Sequence, residues 1–275
     1  MSAGGPEAEQ PPFALMGVVN VTPDSFSDGG RYLDHDAAVA HGLDLQDEGA
    51  TILDVGGEST RPGAEPVPED EELRRVVPVI ERLHDERPSL AISIDTSKAA
   101  VARAALGAGC VLVNDVTALR GDPEMAEAVA ASGAQLCLMH MLGEPRTMQE
   151  NPRYDEVVSD VKAFLTERMD AAVAAGIPES RIILDPGIGF GKTLAHNLTL
   201  LRRLDEIVAL GRPVLIGTSR KSFLGQLTGR DVGSRLPGTL ATNVLAFERG
   251  AKIFRVHEVA PVLDALKVAA ATVAP

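Results

Sequence analysis

The sequence predicts a single-domain α/β protein with the fold of a (β/α)8 TIM barrel, and three observations lead to this prediction. Eight short runs rich in Val, Ile and Leu occur along the chain without polar alternation, which is typical of parallel strands buried on both faces. Segments with the apolar spacing of amphipathic helices separate these runs. No linker or change in composition divides the 275 residues, a length at which α/β barrels commonly form one domain.

The apolar runs define the predicted strands. In chain order they cover residues 14–21, 51–55, 90–94, 111–114, 135–139, 181–184, 213–217 and 252–256. Glycines typical of helix ends precede several of these runs, namely Gly49, Gly109, Gly133, Gly176, Gly211 and Gly250. Regular alternation of helix and strand favours a barrel over an open sheet.

The predicted barrel domain covers residues 13–275, and the small, polar and Pro-rich residues 1–12 are expected to form a disordered tail. Within the barrel, apolar residues recur at intervals of three and four between the strands, most clearly in residues 73–83. Asp122 followed by Pro123 is typical of a helix start, with the aspartate as N-cap and the proline as first helical residue. We therefore expect a helix to begin there.

The composition limits the classes of function. The net charge of −13 argues against broad contact with nucleic acid or an anionic membrane, since both need an extended basic surface. The sequence shows neither a membrane-spanning apolar run nor the basic start and apolar core of a signal peptide. Cys110 and Cys137 lie in apolar runs without the spacing of metal ligands, so we expect buried free thiols. These features predict a cytoplasmic protein that acts on small molecules.

Polar residues occur at the carboxyl ends of the predicted strands, where barrel enzymes place their active sites. In strand order they are Asn20, Asp54, Asp95, Asn114, His140, Asp185, the segment 219–221, and Arg255 with His257. Each has a structural interpretation when taken alone, such as helix capping by Asp95. The complete set predicts an active site, because capping does not require a buried polar group at every strand end.

Two kinds of chemistry are expected at this rim. Arginine, lysine and histidine suit the oxygens of a diphosphate. A basic cluster of this kind comprises Arg61, Arg220, Lys221, Arg255 and His257. Asp95, Asn114 and Asp185 instead need paired donors, such as the ring N–H and exocyclic NH2 of a nitrogen heterocycle. The sequence thus predicts a flat heterocycle in the barrel mouth and a diphosphate at its rim.

The segment LDPGIGFGKT, residues 184–193, is similar to the nucleotide-binding P-loop pattern G-x-x-x-x-G-K-[S/T]. Pro186 occupies the position of the first glycine, and its fixed φ and missing N–H disfavour a phosphate cradle. We expect instead a glycine-rich loop after the sixth strand. Its functional residues would be Asp185 and Phe190, with Lys192 structural or peripheral.

Eight segments in chain order match motifs of one family. They are MGVVNVTPDSFSDGG at 16–30, DVGGESTRPGA at 54–64, SIDTSK at 93–98, VNDV at 113–116, LMHM at 138–141, LDPGIGFGKT at 184–193, GTSRKSFLG at 217–225 and RVHEV at 255–259. On these segments the chain resembles the dihydropteroate synthases of the pterin-binding family. The resemblance implies a folate-pathway transferase that joins 6-hydroxymethyl-7,8-dihydropterin diphosphate to p-aminobenzoate and releases diphosphate.

The resemblance also implies roles for individual residues. The catalytic residues would be Asp95, Asp185, Lys221, Arg255 and His257. The pterin diphosphate site would contain Thr60, Arg61, Asp95, Asn114, Met139, Asp185, Gly217, Lys221, Arg255 and His257. The p-aminobenzoate site would contain Phe26, Thr60, Pro62, Phe190, Arg220, Lys221 and Ser222. Asn20 would bind Mg2+ together with the diphosphate, and a homodimer and competition by sulfonamides are implied as well.

The implied reaction is an SN1-like displacement without a covalent enzyme intermediate. Because an aryl amine is a weak nucleophile, the diphosphate must depart before the amine attacks. One alternative is a Schiff-base barrel aldolase with Lys221 as its nucleophile. Others are a pterin-binding paralogue without synthase activity and a barrel that binds methylated folates for corrinoid methyl transfer. Phe26, Arg61 and Pro62 favour the synthase, since these alternatives do not need the p-aminobenzoate loops.

Overall fold

The structure is a computed structural model that describes residues 11–22, 35–59, 63–144 and 146–273. The predicted tail therefore lies outside the described residues except for Pro11 and Pro12. Four predicted site residues also lie outside them, namely Phe26, Thr60, Arg61 and Pro62. Their roles stay predictions.

Eight parallel strands form the barrel that the sequence predicts. They are β1 (Ala14–Asn20), β2 (Ile52–Gly56), β3 (Ala91–Asp95), β4 (Leu112–Asp115), β5 (Gln135–Met139), β6 (Ile182–Asp185), β7 (Leu215–Ile216) and β8 (Ile253–Val256). The strands pair in the order β6-β5-β4-β3-β2-β1-β8-β7. A parallel bridge between Leu184 and Val214 joins β6 to the segment before β7 and nearly closes the barrel.

The strand ends differ from the prediction in an informative way. β2, β3, β4 and β6 each end one residue later than expected, so Asp95, Asp115 and Asp185 belong to strands. Their backbones stay paired, as in the register Met139 opposite Asp185. β7 is shorter than predicted because Pro213 has no N–H to give to the ladder. Its carbonyl still accepts a hydrogen bond from the Leu184 N–H at 3.0 Å.

Helices cover the outside of the barrel. They are α1 (His35–Asp47), α2 (Glu69–Glu86), α3 (Ala99–Gly107), α4 (Met125–Ser132), α5 (Val157–Ala174), α6 (Leu194–Arg202), α7 (Asp205–Val208), α8 (Ser222–Thr228), α9 (Leu236–Glu248) and α10 (Val259–Val273), with 3-10 turns at Glu179–Arg181 and Val232–Ser234. Two helices lie between β6 and β7, and two between β7 and β8. Among the described residues, no helix has the length and apolar composition to cross a membrane.

The prediction that Asp122 caps the helix after β4 is wrong. That helix, α4, begins three residues later at Met125. The Asp122 carboxylate instead accepts hydrogen bonds from the backbone N–H of Glu124 at 2.9 Å and of Ala99 at 2.8 Å. Since Ala99 is the first residue of α3, Asp122 stabilises the start of a different helix.

The apolar core has two layers. A large outer layer lies between the strands and the helices. A small inner layer forms a floor inside the barrel and consists of Met16, Leu112, Cys137, Ile183, Leu215 and Ile253. Cys110 and Cys137 are buried free thiols, which confirms the prediction for both.

Candidate active site

Several of the predicted pterin residues lie one interior position above the apolar floor. Because residues two apart on a strand face the same side, the positions above the floor follow from the sequence. They are Asn114 above Leu112, Met139 above Cys137, Asp185 above Ile183, Gly217 above Leu215 and Arg255 above Ile253. Asp95 joins this layer, because it is paired in register with Asn114. The sheet therefore brings these six members of the predicted pterin diphosphate site together at the barrel mouth.

Arg255 connects two carboxylates inside the barrel. Its Nε donates to Asp54 Oδ2 at 2.6 Å, and its Nη2 donates to Asp95 Oδ2 at 2.8 Å. Asn114 Nδ2 donates to the same Asp54 oxygen at 3.1 Å. These bonds link side chains from β2, β3, β4 and β8 across the inside of the barrel.

Asp54 belongs to the predicted set of strand-end residues, but the sequence alone assigns it no role in binding a substrate. Its side chain is fully buried, and its Oδ1 has no hydrogen-bond partner among the described residues. The strand period contains the signal that identifies it, because Asp54 stands two residues after Ile52, which packs against the floor. An orphaned buried oxygen costs roughly 1–3 kcal/mol, which is the expected cost of keeping an acceptor ready for a ligand.

Burial raises the pKa of two carboxyls at the mouth. The pKa of Asp95 is raised to about 7, since burial and the nearby Asp54 outweigh the opposing charge of Arg255. Burial raises the pKa of Asp185 to about 6, although the Gly187 N–H donates to its Oδ1 at 2.7 Å. Carboxyls held this way are poised to accept hydrogen bonds from a ligand that brings N–H donors.

One wall of the mouth is apolar. It is formed by Val116, Met139, Met141 and Met148, with Phe190 packed against them. Methionine side chains adapt to flat aromatic surfaces and make favourable sulfur–ring contacts. A planar ring between this wall and the carboxylates would therefore meet apolar atoms on its face and acceptors at its edge.

The glycines of the segment after β6 allow a close approach to the segment after β5. Gly187 and Gly191 have positive φ values of 65° and 61°. A Cβ on Gly187 would lie 1.9 Å from the His140 carbonyl oxygen, and one on Gly191 would lie 2.5 Å from that of Leu142. Glycine is thus required at both positions by conformation and by space.

The same loop does not form a phosphate cradle. The Gly187 N–H donates to Asp185, and the Gly189 N–H donates to Asn197 Oδ1 at 2.7 Å. A P-loop needs such N–H groups directed at phosphate oxygens, whereas here they are bonded to protein side chains. The loop instead places Phe190 at the mouth, as the sequence predicts.

The segment after β7 meets this loop. Lys221 Nζ lies 4.0 Å from the centroid of the Phe190 ring, a cation–π contact. Arg220 has a positive φ of 59° and pairs with Glu258, with Nε 2.6 Å from Oε1. Ser222 begins α8 directly after them. Lys221 and Phe190, predicted separately for the amine site, are therefore in contact.

His257 and Asn20 lie on the rim of the mouth. His257 Nδ1 is 3.0 Å from Ser219 Oγ, so the ring is oriented by a hydroxyl from the segment after β7. Asn20 ends β1 opposite Gly56 and is half-buried. The structure thus places these two predicted residues at strand ends of the same rim.

Fold and site together define a barrel enzyme of the pterin-binding class, and a sequence profile described as "Pterin binding enzyme" matches residues 16–257. A dihydropteroate synthase from Haemophilus influenzae is 48% identical over 258 residues, which cover 94% of this chain and 93% of that protein. The chain belongs to the pterin-binding enzymes and, within them, to the dihydropteroate synthases, the transferases of folate synthesis.

Solved structures agree with this membership. A dihydropteroate synthase from Xanthomonas albilineans with 4-aminobenzoic acid has a TM-score of 0.90 and 51% identity, covering 97% of this chain and 95% of that chain. The same enzyme in complex with 7,8-dihydropteroate has a TM-score of 0.85 and 49% identity, with coverages of 95% and 94%. A Yersinia pestis enzyme in complex with a sulfonamide drug has a TM-score of 0.89 and 47% identity, with 94% of each chain covered.

Proposed function

We propose that this protein condenses 6-hydroxymethyl-7,8-dihydropterin diphosphate with p-aminobenzoate to give 7,8-dihydropteroate and diphosphate. The observation on which this rests most is the set of buried acceptors, Asp95, Asn114 and Asp185, beside an apolar wall in the barrel mouth. The complexes of the Xanthomonas albilineans enzyme with 4-aminobenzoic acid and 7,8-dihydropteroate support it.

The pterin ring would lie between the apolar wall and the carboxylates. Its ring N–H and exocyclic NH2 would donate to Asp185, and Asn114 would both donate and accept at the same edge. Met139 would cover one face of the ring, and Gly217, with no side chain, would leave room for it. Asp95 and Arg255 would complete the pocket from β3 and β8.

The diphosphate would lie at the rim, toward His257, Arg255 and the predicted residues Thr60 and Arg61. We propose that Asn20 binds Mg2+ there together with diphosphate oxygens. The donor set fits, since Mg2+ is commonly held by one or two protein oxygens plus substrate phosphates, and Asn20 supplies an amide oxygen at the end of β1. When bound, the ion would neutralise charge on the departing diphosphate.

The amine substrate would bind where the segments after β6 and β7 meet. The Phe190 ring and the Lys221 stem would contact its aromatic face, and Arg220 and Ser222 would hold its carboxylate. The predicted residues Phe26, Thr60 and Pro62 would close the site from the other loops. Sulfonamides, which share this shape, would compete there.

The reaction would begin with departure of diphosphate. The bond between the methylene carbon and oxygen breaks, its electron pair leaves with the diphosphate, and the electron-rich dihydropterin delocalises the positive charge. Asp95 and Asp185 stabilise that charge through space, in a site where burial makes fixed charges effective. The amine lone pair then forms the carbon–nitrogen bond, and the amine nitrogen releases its proton. His257 and Arg255 bind the developing diphosphate, and exclusion of water protects the cation.

The Schiff-base alternative is not favoured by the contacts of Lys221. Its ammonium lies over the Phe190 ring, and a cation–π contact stabilises the charged form rather than the neutral amine that a nucleophile needs. The inactive-paralogue alternative predicts pterin binding without turnover, so a rate measurement separates it from the synthase.

The assembly and the location belong to the same proposal. The protein would form a homodimer through a groove between α9 and α10, lined mainly by apolar residues such as Leu240, Val244, Pro261 and Val268. Val268 lines this groove and is 65% exposed, so its apolar surface is available to a second copy of the chain. Two free buried thiols are in keeping with a reducing cytoplasmic compartment.

The test is an assay of diphosphate release. Purified protein is incubated with Mg2+ and the pterin diphosphate, with and without p-aminobenzoate. We expect release that depends on the amine and is reduced by a sulfonamide. Release that ignores the amine, or no release while the pterin binds, would contradict the synthase activity.

A further inference from the structure

Lys192 occupies an unusual environment in the segment after β6. Its side chain is buried, with 3% exposure. Its Nζ contacts three acceptors: His140 Nδ1 at 2.9 Å, the His140 carbonyl oxygen at 3.3 Å and the Phe190 carbonyl oxygen at 3.0 Å. One ammonium group therefore joins the end of β5 to the residue that forms the aromatic wall of the mouth.

The surroundings of Lys192 shift its pKa and that of its partner His140. Burial lowers the pKa of Lys192 to about 7, which Asp185 opposes and Lys221 reinforces. Burial and the charge of Lys192 lower the pKa of His140 to about 2, so this imidazole is neutral and its Nδ1 accepts a hydrogen bond. Among the described residues, no carboxylate lies within ion-pair distance of Lys192.

The aromatic residues behind His140 hold it in place. Its ring meets Phe164 edge to face, with centroids 4.8 Å apart. Tyr154 lies beside it and donates its hydroxyl to the Gly191 carbonyl oxygen at 2.8 Å. The partner that Lys192 binds on the β5 side is therefore fixed by packing.

The backbone on both sides of Phe190 is held by other side chains. The Gly189 carbonyl oxygen accepts from Gln149 Nε2 at 2.6 Å, and its N–H donates to Asn197. On the other side of Phe190, the Gly191 carbonyl oxygen accepts from the Tyr154 hydroxyl at 2.8 Å. The Phe190 carbonyl oxygen, between these two residues, accepts from Lys192. This peptide sets the direction of the Phe190 ring, over which Lys221 lies.

We propose that Lys192 is a positioning residue for the amine substrate: its buried ammonium fixes the Phe190 peptide, and through it the Phe190 ring and the Lys221 side chain. This proposal rests on the proposed function, because it assigns Phe190 and Lys221 to p-aminobenzoate. Lys192 would not touch the reacting atoms, since its side-chain hydrogen bonds go to His140 and to the Phe190 carbonyl oxygen. Replacing it would loosen the amine site and leave the pterin site, held by the strands themselves, in place.

The first test is a comparison of substrate constants in Lys192→Met, which keeps the length of the side chain without its charge. A hydrogen bond from a charged group is worth enough for about a tenfold effect. We therefore expect KM for p-aminobenzoate to rise about tenfold, while the dissociation constant of 6-hydroxymethylpterin stays within about twofold. Equal changes in both constants, or in neither, would overturn the positioning role.

A double-mutant cycle then asks whether Lys192 acts through Phe190. In the Phe190→Ala background, Lys192→Met should change KM for the amine by less than about twofold, because coupled residues are not additive. The full tenfold change in that background would show that Lys192 acts elsewhere, and would refute the proposal.

A second variant covers the event that Lys192→Met does not fold. His140→Phe removes the imidazole acceptor, and it should raise KM for the amine in the same direction by a smaller factor. Hydrogen exchange of the amides at 189–191 should also speed up in either variant, whether or not the protein turns over. Unchanged exchange in the variants would overturn the inference by itself. If the wild type shows no turnover and the variants still exchange faster, only the synthase activity is contradicted.

Discussion

Among the described residues, the carboxylates of the barrel mouth have few hydrogen-bond donors. Arg255 is a single guanidinium between Asp54 and Asp95, and Asp185 lies in the same layer with one backbone N–H as its donor. Breaking such a buried group by removing one charge is costly, whereas adding donors stabilises it. A heterocycle with paired N–H groups would supply further donors to this layer.

Pterin affinity should fall as the pH is lowered from about 8 to about 5. The pKa of Asp95 is raised from 3.8 to about 7, and that of Asp185 from 3.8 to about 6. Acidification through this window protonates both groups and removes their function as acceptors, so binding is strong above the raised pKa values and weak below them. Calorimetry with 6-hydroxymethylpterin measures this without a titrating diphosphate, and a flat profile would contradict it.

The strands and helices of the barrel could be predicted from the sequence, whereas some of the contacts between them could not. The alternation of strand and helix was readable from apolar spacing, since that spacing records which face is buried. The mouth residues were readable because strand ends carry them. The contact of Lys192 with His140 and the capping of α3 by Asp122 were not, because they join residues 52 and 23 positions apart along the chain.

Gly187→Ala should disrupt the amine site and the stability of the protein together. The new Cβ would meet the His140 carbonyl oxygen, and the positive φ adds strain. Gly211 is a matched control, because it has a positive φ of 82° with nothing within 4 Å of its Cβ. We expect about 1 kcal/mol of destabilisation for Gly211→Ala and about 3 kcal/mol or more for Gly187→Ala. Urea unfolding measures both, and equal values would contradict the close approach of the two loops.

At the scale of the whole molecule, the chain is acidic, but several of its basic residues lie together at the end of the barrel that holds the candidate active site. The net charge of −13 keeps the surface repulsive to nucleic acid, while Arg220, Lys221, Arg255 and His257 lie at one end of the barrel. The groove between α9 and α10, lined mainly by apolar residues, is the surface proposed for self-association.

Val268→Asp should convert the proposed dimer to a monomer, because a carboxylate would be buried without a partner in the groove between α9 and α10. Val173→Asp is the control, since Val173 is 45% exposed on α5 and outside the groove. Light scattering after size exclusion measures both masses. A monomeric wild type, or a dimeric Val268→Asp variant, would refute this interface.

The central claim is that the buried carboxylates of the mouth bind the pterin and stabilise its positive charge. Its most direct test is kcat/KM for Asp185→Asn, measured beside Asp70→Asn, which changes a carboxyl whose side chain is 80% exposed. The account predicts a loss of about 100-fold or more for Asp185→Asn, an unchanged rate for Asp70→Asn, and the same thermal unfolding temperature for both. A folded Asp185→Asn variant with the rate of the wild type would contradict it.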